Sequence, residues 1–247
     1  MSDTLFIGRD IRFFDRLDST NNYAATMLSG DEWTEGTVIV ADEQTTGRGR
    51  HQRVWESEPG ANLLCSIVLK PHFIRPDESF LLNMVAAVGV FDCLAEYAIP
   101  ASIKWPNDVF HGTDKVAGIL IETQIRGQQL GAAIIGIGLN INQTRFSSTG
   151  AASMQLITGR PFMRNRVLER LCANFEAAYL LCRANANALV QRYNNALYLL
   201  NEKAAYLQGD SEIELELKQV LADGRVHAKA GDQLRYFQMD DLRLRRM

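Results

Sequence analysis

The chain has 247 residues, 47% of them hydrophobic and 22% charged, with a formal net charge of -3. This is ordinary globular composition, long enough for one large domain plus a small one. The acidic balance argues against a general nucleic-acid binder, because phosphate backbones are held by clustered positive charge; only local Arg/Lys clusters remain for an anionic ligand.

No apolar run approaches the roughly 20 residues of a membrane span, and Met1-Ser2-Asp3-Thr4-Leu5 lacks the basic and apolar regions of a signal peptide. Cys65, Cys93, Cys172 and Cys182 form no C-x-x-C pair and no metal-ligand spacing. They read as reduced core thiols of a cytoplasmic protein.

In chain order, 11–17 alternates as a strand, and Asp18-Ser19-Thr20-Asn21 offers N-cap residues for a short helix through Leu28. Residues 37–43 and 62–69 read as buried strands on either side of a Gly-Arg loop. Leu81, Val85, Val88, Phe91, Leu94 and Ala95 share one face of a helix over 80–99, which Pro100 ends. A short strand at 102–105 runs into a Pro106-Asn107-Asp108 turn. Residues 116–124 and 130–137 form a hairpin around Arg126-Gly127. Helices follow near 167–182 and 188–200. Beyond Asn201 come short alternating strands at 213–220, 225–230 and 233–238. The fold class is α+β: a mixed sheet with helices on one side over residues 1–200, then a small β barrel over 201–247.

Four constellations carry chemistry. Thr46-Gly47-Arg48-Gly49-Arg50-His51-Gln52-Arg53-Val54-Trp55 combines glycines that let a backbone approach a ligand, guanidinium forks for phosphate or carboxylate, and an indole for stacking. A solvated surface loop is the bland alternative. Lys104-Trp105-Pro106-Asn107-Asp108, with Lys115 downstream, is turn chemistry by itself. The lysines add charge suited to stabilising phosphoryl or adenylyl transfer, and Asn107-Asp108 oxygens suit Mg²⁺ or a ligand amine. Gly136-Ile137-Gly138-Leu139-Asn140 marks either a plain β-bulge or close approach by a ligand. Ser19-Thr20-Asn21 is either a helix cap or the place where an exposed helix N-terminus binds an acceptor-rich ligand.

Together these motifs resemble the biotin protein ligase family across most of the chain. The resemblance is carried in order by Ser19-Thr20-Asn21, the run Gln44 to Arg50 with Arg53 and Trp55, Gly60-Ala61-Asn62-Leu63, Lys104 to Asp108, Lys115 with Ala117-Gly118-Ile119-Leu120 and Glu122, and Gly136, Gly138 and Asn140. It implies the class II aminoacyl-tRNA synthetase-like catalytic fold with a C-terminal SH3-like barrel. It implies activation of biotin by MgATP to biotinyl-5′-AMP, then transfer to a lysine of a biotin carboxyl carrier protein. Carried over residue by residue, Ser19, Thr20, Asn21 and Gln44 bind biotin or its surroundings, and Gly47 and the Arg48 backbone approach it. Gly118, Gly136 and Gly138 leave it room. Arg50 and Arg53 bind ATP phosphates, Trp55 stacks on adenine, and Asn107 and Asn140 contact the nucleotide. Lys115 bridges the biotin carboxylate and α-phosphate, and Asp108 assists the incoming amine or the metal. The Gly-Arg loop is expected to order over the intermediate and exclude water. A lipoate or octanoate ligase, and a non-catalytic binding module, are the rival readings. Motifs beginning at Ser19 leave no room for an N-terminal helix-turn-helix, so no operator binding is expected. Sheet edges allow, without requiring, a homodimer.

Overall fold

The computed structural model describes residues 4–30, 33–147 and 149–245. Its elements are β1 (Ile11–Leu17), α1 (Thr20–Met27), β2 (Val38–Gln44), β3 (Leu63–Leu69), α2 (Leu81–Glu96), β4 (Ser102–Lys104), β5 (Asp108–His111), β6 (Asp114–Arg126), β7 (Gln129–Leu139), α3 (Met154–Thr158), α4 (Arg164–Ala184), α5 (Ala186–Asn195), β8 (Lys203–Gln208), β9 (Ser211–Val220), β10 (Val226–Ala230), β11 (Gln233–Phe237) and β12 (Arg243–Leu244). The first seven strands form one sheet in the order β1-β2-β3-β7-β6-β5-β4. Only β1 and β2 run parallel; the other neighbours are antiparallel. The sheet is therefore mixed, as the sequence indicates.

The helices do not all lie on one side. Along β2, β3 and β7 both faces are apolar. Val38, Val40, Cys65, Ile67, Ile135 and Ile137 join α2, α4 and α5 in the main core. Ile39, Val68, Ala132 and Ile134 point the other way, against Ala24 and Leu28 of α1 and the residue after it. Strands buried on both faces need cover on both faces, so α1 occupies the side the sequence reading left bare. That reading matters for function, because α1 begins at the cavity described below.

Residues Pro76–Glu96 are long and apolar enough to cross a bilayer by length and composition, and 67% of their apolar 18-residue window is buried inside the fold. This corrects the expectation that no such run exists. Its apolar character comes from packing on both the sheet and α4, which makes it a core helix. The four cysteines are free and buried. Burial pushes Cys93, Cys172 and Cys182 up to about 12, which keeps them as thiols rather than reactive thiolates.

The C-terminal strands form a second, five-stranded antiparallel sheet in the order β11-β10-β9-β8-β12. β8 and β12 were not expected. Among the described residues β11 and β12 are its two edges, so a small sheet is present but a closed barrel is not seen.

Candidate active site

A cavity of about 340 Å³ opens where α1, the Gly-Arg loop, the β4–β5 turn and the C-terminal unit meet over β3, β6 and β7. One end of it is neutral and polar. Ser19 begins α1 with extended backbone but makes no side-chain capping bond, so helix capping does not explain its hydroxyl. Thr20 donates its N–H to Gln44 Oε1 at 2.7 Å, and its hydroxyl lies 3.0 Å from the same oxygen. Ser66 Oγ lies 2.6 Å from Asn21 Oδ1 and 2.7 Å from Thr20 Oγ1. Asn21 donates Nδ2 to Glu122 Oε2 at 2.7 Å, so its oxygen faces Ser66 and takes the one serine proton. Ser19, Thr20, Asn21 and Ser66 are all nearly inaccessible in the protein. Neutral polar groups at this density suit a ligand that brings several donors and acceptors of its own.

Leu64, Cys65, Ile119, Leu120 and Ile137 form an apolar middle section. Trp55 stands here. A Cβ on Gly138 would meet its Cζ2 at 2.6 Å, and one on Gly118 would meet its Cζ3 at 2.7 Å and Lys115 Nζ at 2.8 Å. A Cβ on Gly136 would collide with Asn21 Oδ1. These glycines thus make room for side chains of this chain. The Trp55 Nε1 is buried without a hydrogen bond.

The remaining wall is charged. Lys115 Nζ stands 2.6 Å from Asp108 Oδ1, an ion pair rather than an aligned hydrogen bond, and 5.1 Å from the Trp55 ring centre. The backbone of Lys115 is fixed on both sides: its N–H donates to Gly150 O, and its carbonyl accepts from Ala152 N, each at 3.0 Å. Asn107 donates Nδ2 to Ile119 O at 2.7 Å, tying the turn to β6. In the Gly-Arg loop, Arg48 bonds Asn22 Oδ1 at 2.5 Å and Glu122 Oε1 at 2.6 Å. Arg50 bonds Asp240 Oδ1 at 2.8 Å, and Arg53 is exposed at the rim.

Fourteen of the sixteen residues expected at the site line this one cavity: Ser19, Thr20, Asn21, Gln44, Arg48, Arg50, Arg53, Trp55, Asn107, Asp108, Lys115, Gly118, Gly136 and Gly138. Two do not. Gly47 borders an adjoining cavity of about 770 Å³ instead, and a Cβ there would meet Trp55 O at 2.7 Å, so it serves loop closure. Asn140 is buried behind β6, donating Nδ2 to Ala152 O at 3.0 Å and Lys115 O at 3.4 Å. It braces Lys115. Sequence reasoning missed Ser66, whose signal was one hydroxyl in an otherwise apolar strand. It also missed Tyr206, Met239, Asp240 and Leu242, which the C-terminal unit contributes.

Asp108 and Asp240 are the carboxylates on the wall. That donor set fits Mg²⁺, which takes one or two carboxylates and draws its other ligands from phosphates and water. Among the described residues no group of three or more His, Cys, Asp or Glu could cage a metal ion.

Residues 13–140 match the model of the biotin/lipoate A/B protein ligase family. The chain is 36% identical over 182 residues to the bifunctional ligase/repressor BirA of Bacillus subtilis, covering 71% of this chain and 55% of that one. It is 33% identical over 176 residues to the biotin–[acetyl-CoA-carboxylase] ligase of Mycobacterium tuberculosis, covering 68% and 63%. The chain therefore spans somewhat over half the length of these relatives. Among solved structures, biotin protein ligase from Aquifex aeolicus in complex with biotin and ATP is similar with a TM-score of 0.80 and 27% identity, covering 97% of this chain and 100% of that one.

Proposed function

The chain belongs to the biotin/lipoate A/B protein ligase family, and we propose that it is a biotin protein ligase acting through an acyl-adenylate. The observation that carries this reading is the polarity of the cavity: a neutral hydrogen-bonding end, an apolar middle and a lysine at the far wall. Biotin has that sequence of chemistry, with a ureido ring, an apolar body and a carboxylate. Lipoate, the rival, has no ureido group, so its dithiolane would form none of the further hydrogen bonds that Ser19, Thr20, Asn21 and Gln44 can offer a ligand. Such pockets reject ligands lacking the matching groups.

In the first step a biotin carboxylate oxygen attacks the α-phosphorus of ATP. A new P–O bond forms, the bond to the bridging oxygen breaks, and pyrophosphate leaves. Lys115 would neutralise both anions as they approach, and Arg50 and Arg53 would take the leaving phosphates. This requires Arg50 to leave Asp240 and Lys115 to loosen from Asp108. Mg²⁺ held with Asp108 would add charge neutralisation on the phosphates. In the second step the lysine amine of a biotin carboxyl carrier protein attacks the acyl carbon, and AMP departs with the C–O electron pair. Asp108, freed from Lys115, is the carboxylate available to the amine proton. Trp55 would swing from Gly118 and Gly138 to stack on adenine, opening the apolar section for biotin.

The same reading divides the chain into a catalytic domain, 1–200, and a C-terminal SH3-like unit, 201–247, in a cytoplasmic enzyme. β1, an edge strand with Phe13 exposed, is where a second copy would pair. The test is biotin-dependent pyrophosphate release from MgATP. Activity with biotin and not lipoate, falling about 10²–10³-fold in Lys115→Ala as for loss of one transition-state charge partner, is expected. Activity with lipoate alone, or with neither acid, sinks the reading.

A further inference from the structure

Glu122 belongs to the motif that runs from Lys115, yet it is not on the cavity wall. Its two oxygens face different parts of the site. Oε1 accepts from Arg48 Nη2 at 2.6 Å, and Oε2 accepts from Asn21 Nδ2 at 2.7 Å. Arg48 is in the Gly-Arg loop; Asn21 is on α1, in the polar end. Beyond Asn21 the contacts continue through Ser66 Oγ, 2.7 Å from Thr20 Oγ1, to the Thr20 N–H that donates to Gln44. Gln44 ends β2, and its Nε2 lies 3.3 Å from the Cβ position of Gly47, at the start of the loop. The chain of bonds thus leaves the loop at Arg48 and returns to its root at Gln44.

We propose that Glu122 is a positioning residue that couples closure of the Gly-Arg loop to occupation of the polar end of the cavity. The inference rests on the biotin reading above. A carboxylate is suited to the task because it accepts on both oxygens, whereas the amide of glutamine accepts on one and must present a donor to either Arg48 or Asn21. Binding of a ureido group fixes the Ser19–Asn21 cluster. Asn21, locked between Ser66 and Glu122, then holds the carboxylate where Arg48 can close on it. Conversely, a loop that stays open removes one of the two donors that orient Glu122 and loosens Asn21. Loop order and ligand affinity are then linked by one side chain that touches neither ligand.

The experiment compares wild type, Glu122→Gln, Glu122→Ala and Arg48→Ala on two readouts. One is biotin-dependent pyrophosphate release, resolved into KM and kcat. The other is tryptic cleavage after Arg48, Arg50 and Arg53 with and without saturating biotin. Wild type is expected to turn over biotin and to protect the loop when biotin binds. Glu122→Gln is expected to raise the biotin KM about tenfold, the scale of one lost charge-assisted bond, with kcat changed less than about threefold, and to lose the protection. Glu122→Ala should lose more. Arg48→Ala, cut from an exposed loop and so safe for folding, should lose protection equally even if the Glu122 variants do not fold. Wild-type protection and KM in Glu122→Gln overturn the coupling, as does intact protection in Arg48→Ala. Absence of biotin turnover in wild type would instead remove the biotin reading itself.

Discussion

Gly138 is a test of how the apolar section works. Its missing Cβ admits the Trp55 ring, and Trp55 is a loop residue that can move, whereas the β7 backbone cannot. Gly138→Ala should therefore expel the indole at little cost to the fold while narrowing the cavity. We expect biotin-dependent pyrophosphate release to fall about 10–100-fold, within the range of a mispositioned reactant, with a melting temperature within a few degrees of wild type. An unfolded variant would show that the glycine serves the sheet alone. The same ring offers an optical signal: of the three tryptophans, Trp33 does not line the cavity, and Trp105, which does, is held by its bond to Gly224 O. Biotin or ATP should change the fluorescence of wild type, and Trp55→Phe should abolish most of the change. A change that survives in Trp55→Phe would show that the indole does not move.

At the scale of elements, much was legible because burial imposes period. β1 was read with its observed ends, and β2, β3 and the β6–β7 hairpin were read within a few residues, since their apolar runs have turn residues on both sides. The pieces that escaped are short or weakly apolar. β5 has four residues and α3 five, too few to display a period, and β8 places Tyr206 and Leu207 side by side after two alanines, with no alternation to read. At the site, the charged and glycine residues were legible because their chemistry is unusual in a strand or turn. Ser66 and Asp240 were not, since their partners lie 45 and 190 residues away. Glu176 escaped for the same reason. It is a 5% exposed carboxylate on α4 that accepts from Leu5, Phe6 and Ile7 N–H groups at 2.6, 2.8 and 2.9 Å, fastening the segment before β1. Glu176→Ala strands those donors, two of them in partly buried bonds, and should destabilise by about 3 kcal/mol, at the upper end for hydrogen bonds to a charged group. Urea unfolding would measure it; a change below about 1 kcal/mol would mean the segment contributes little.

For the whole molecule, the question is whether the two sheets are separate bodies. Trp105, in the β4–β5 turn beside the cavity, donates Nε1 to Gly224 O at 3.0 Å, and Phe80 packs where a Gly224 Cβ would sit. Asn194 at the end of α5 exchanges two bonds with Val220 at the end of β9, donating at 3.0 Å and accepting at 2.6 Å. The buried cluster runs without a break from α2 through Tyr193 and Leu197 to Leu215, Val220 and Val226. A sheet of some 45 residues buries too little of its own surface to be robust alone, so its stability is drawn from this shared core. The larger sheet's side of the cavity depends on it in turn, because Asp240 anchors Arg50, and Met239 and Leu242 line the cavity. Calorimetry of the full chain should accordingly give one cooperative transition, although the sequence divides near residue 200. Asn194→Ala strands the fully buried Val220 N–H and should cost about 2 kcal/mol, moving that single transition down by about 4–8 °C. Two resolved transitions, or a shift confined to one of them, would mean that the C-terminal sheet melts by itself and that its contribution to the cavity is by contact alone.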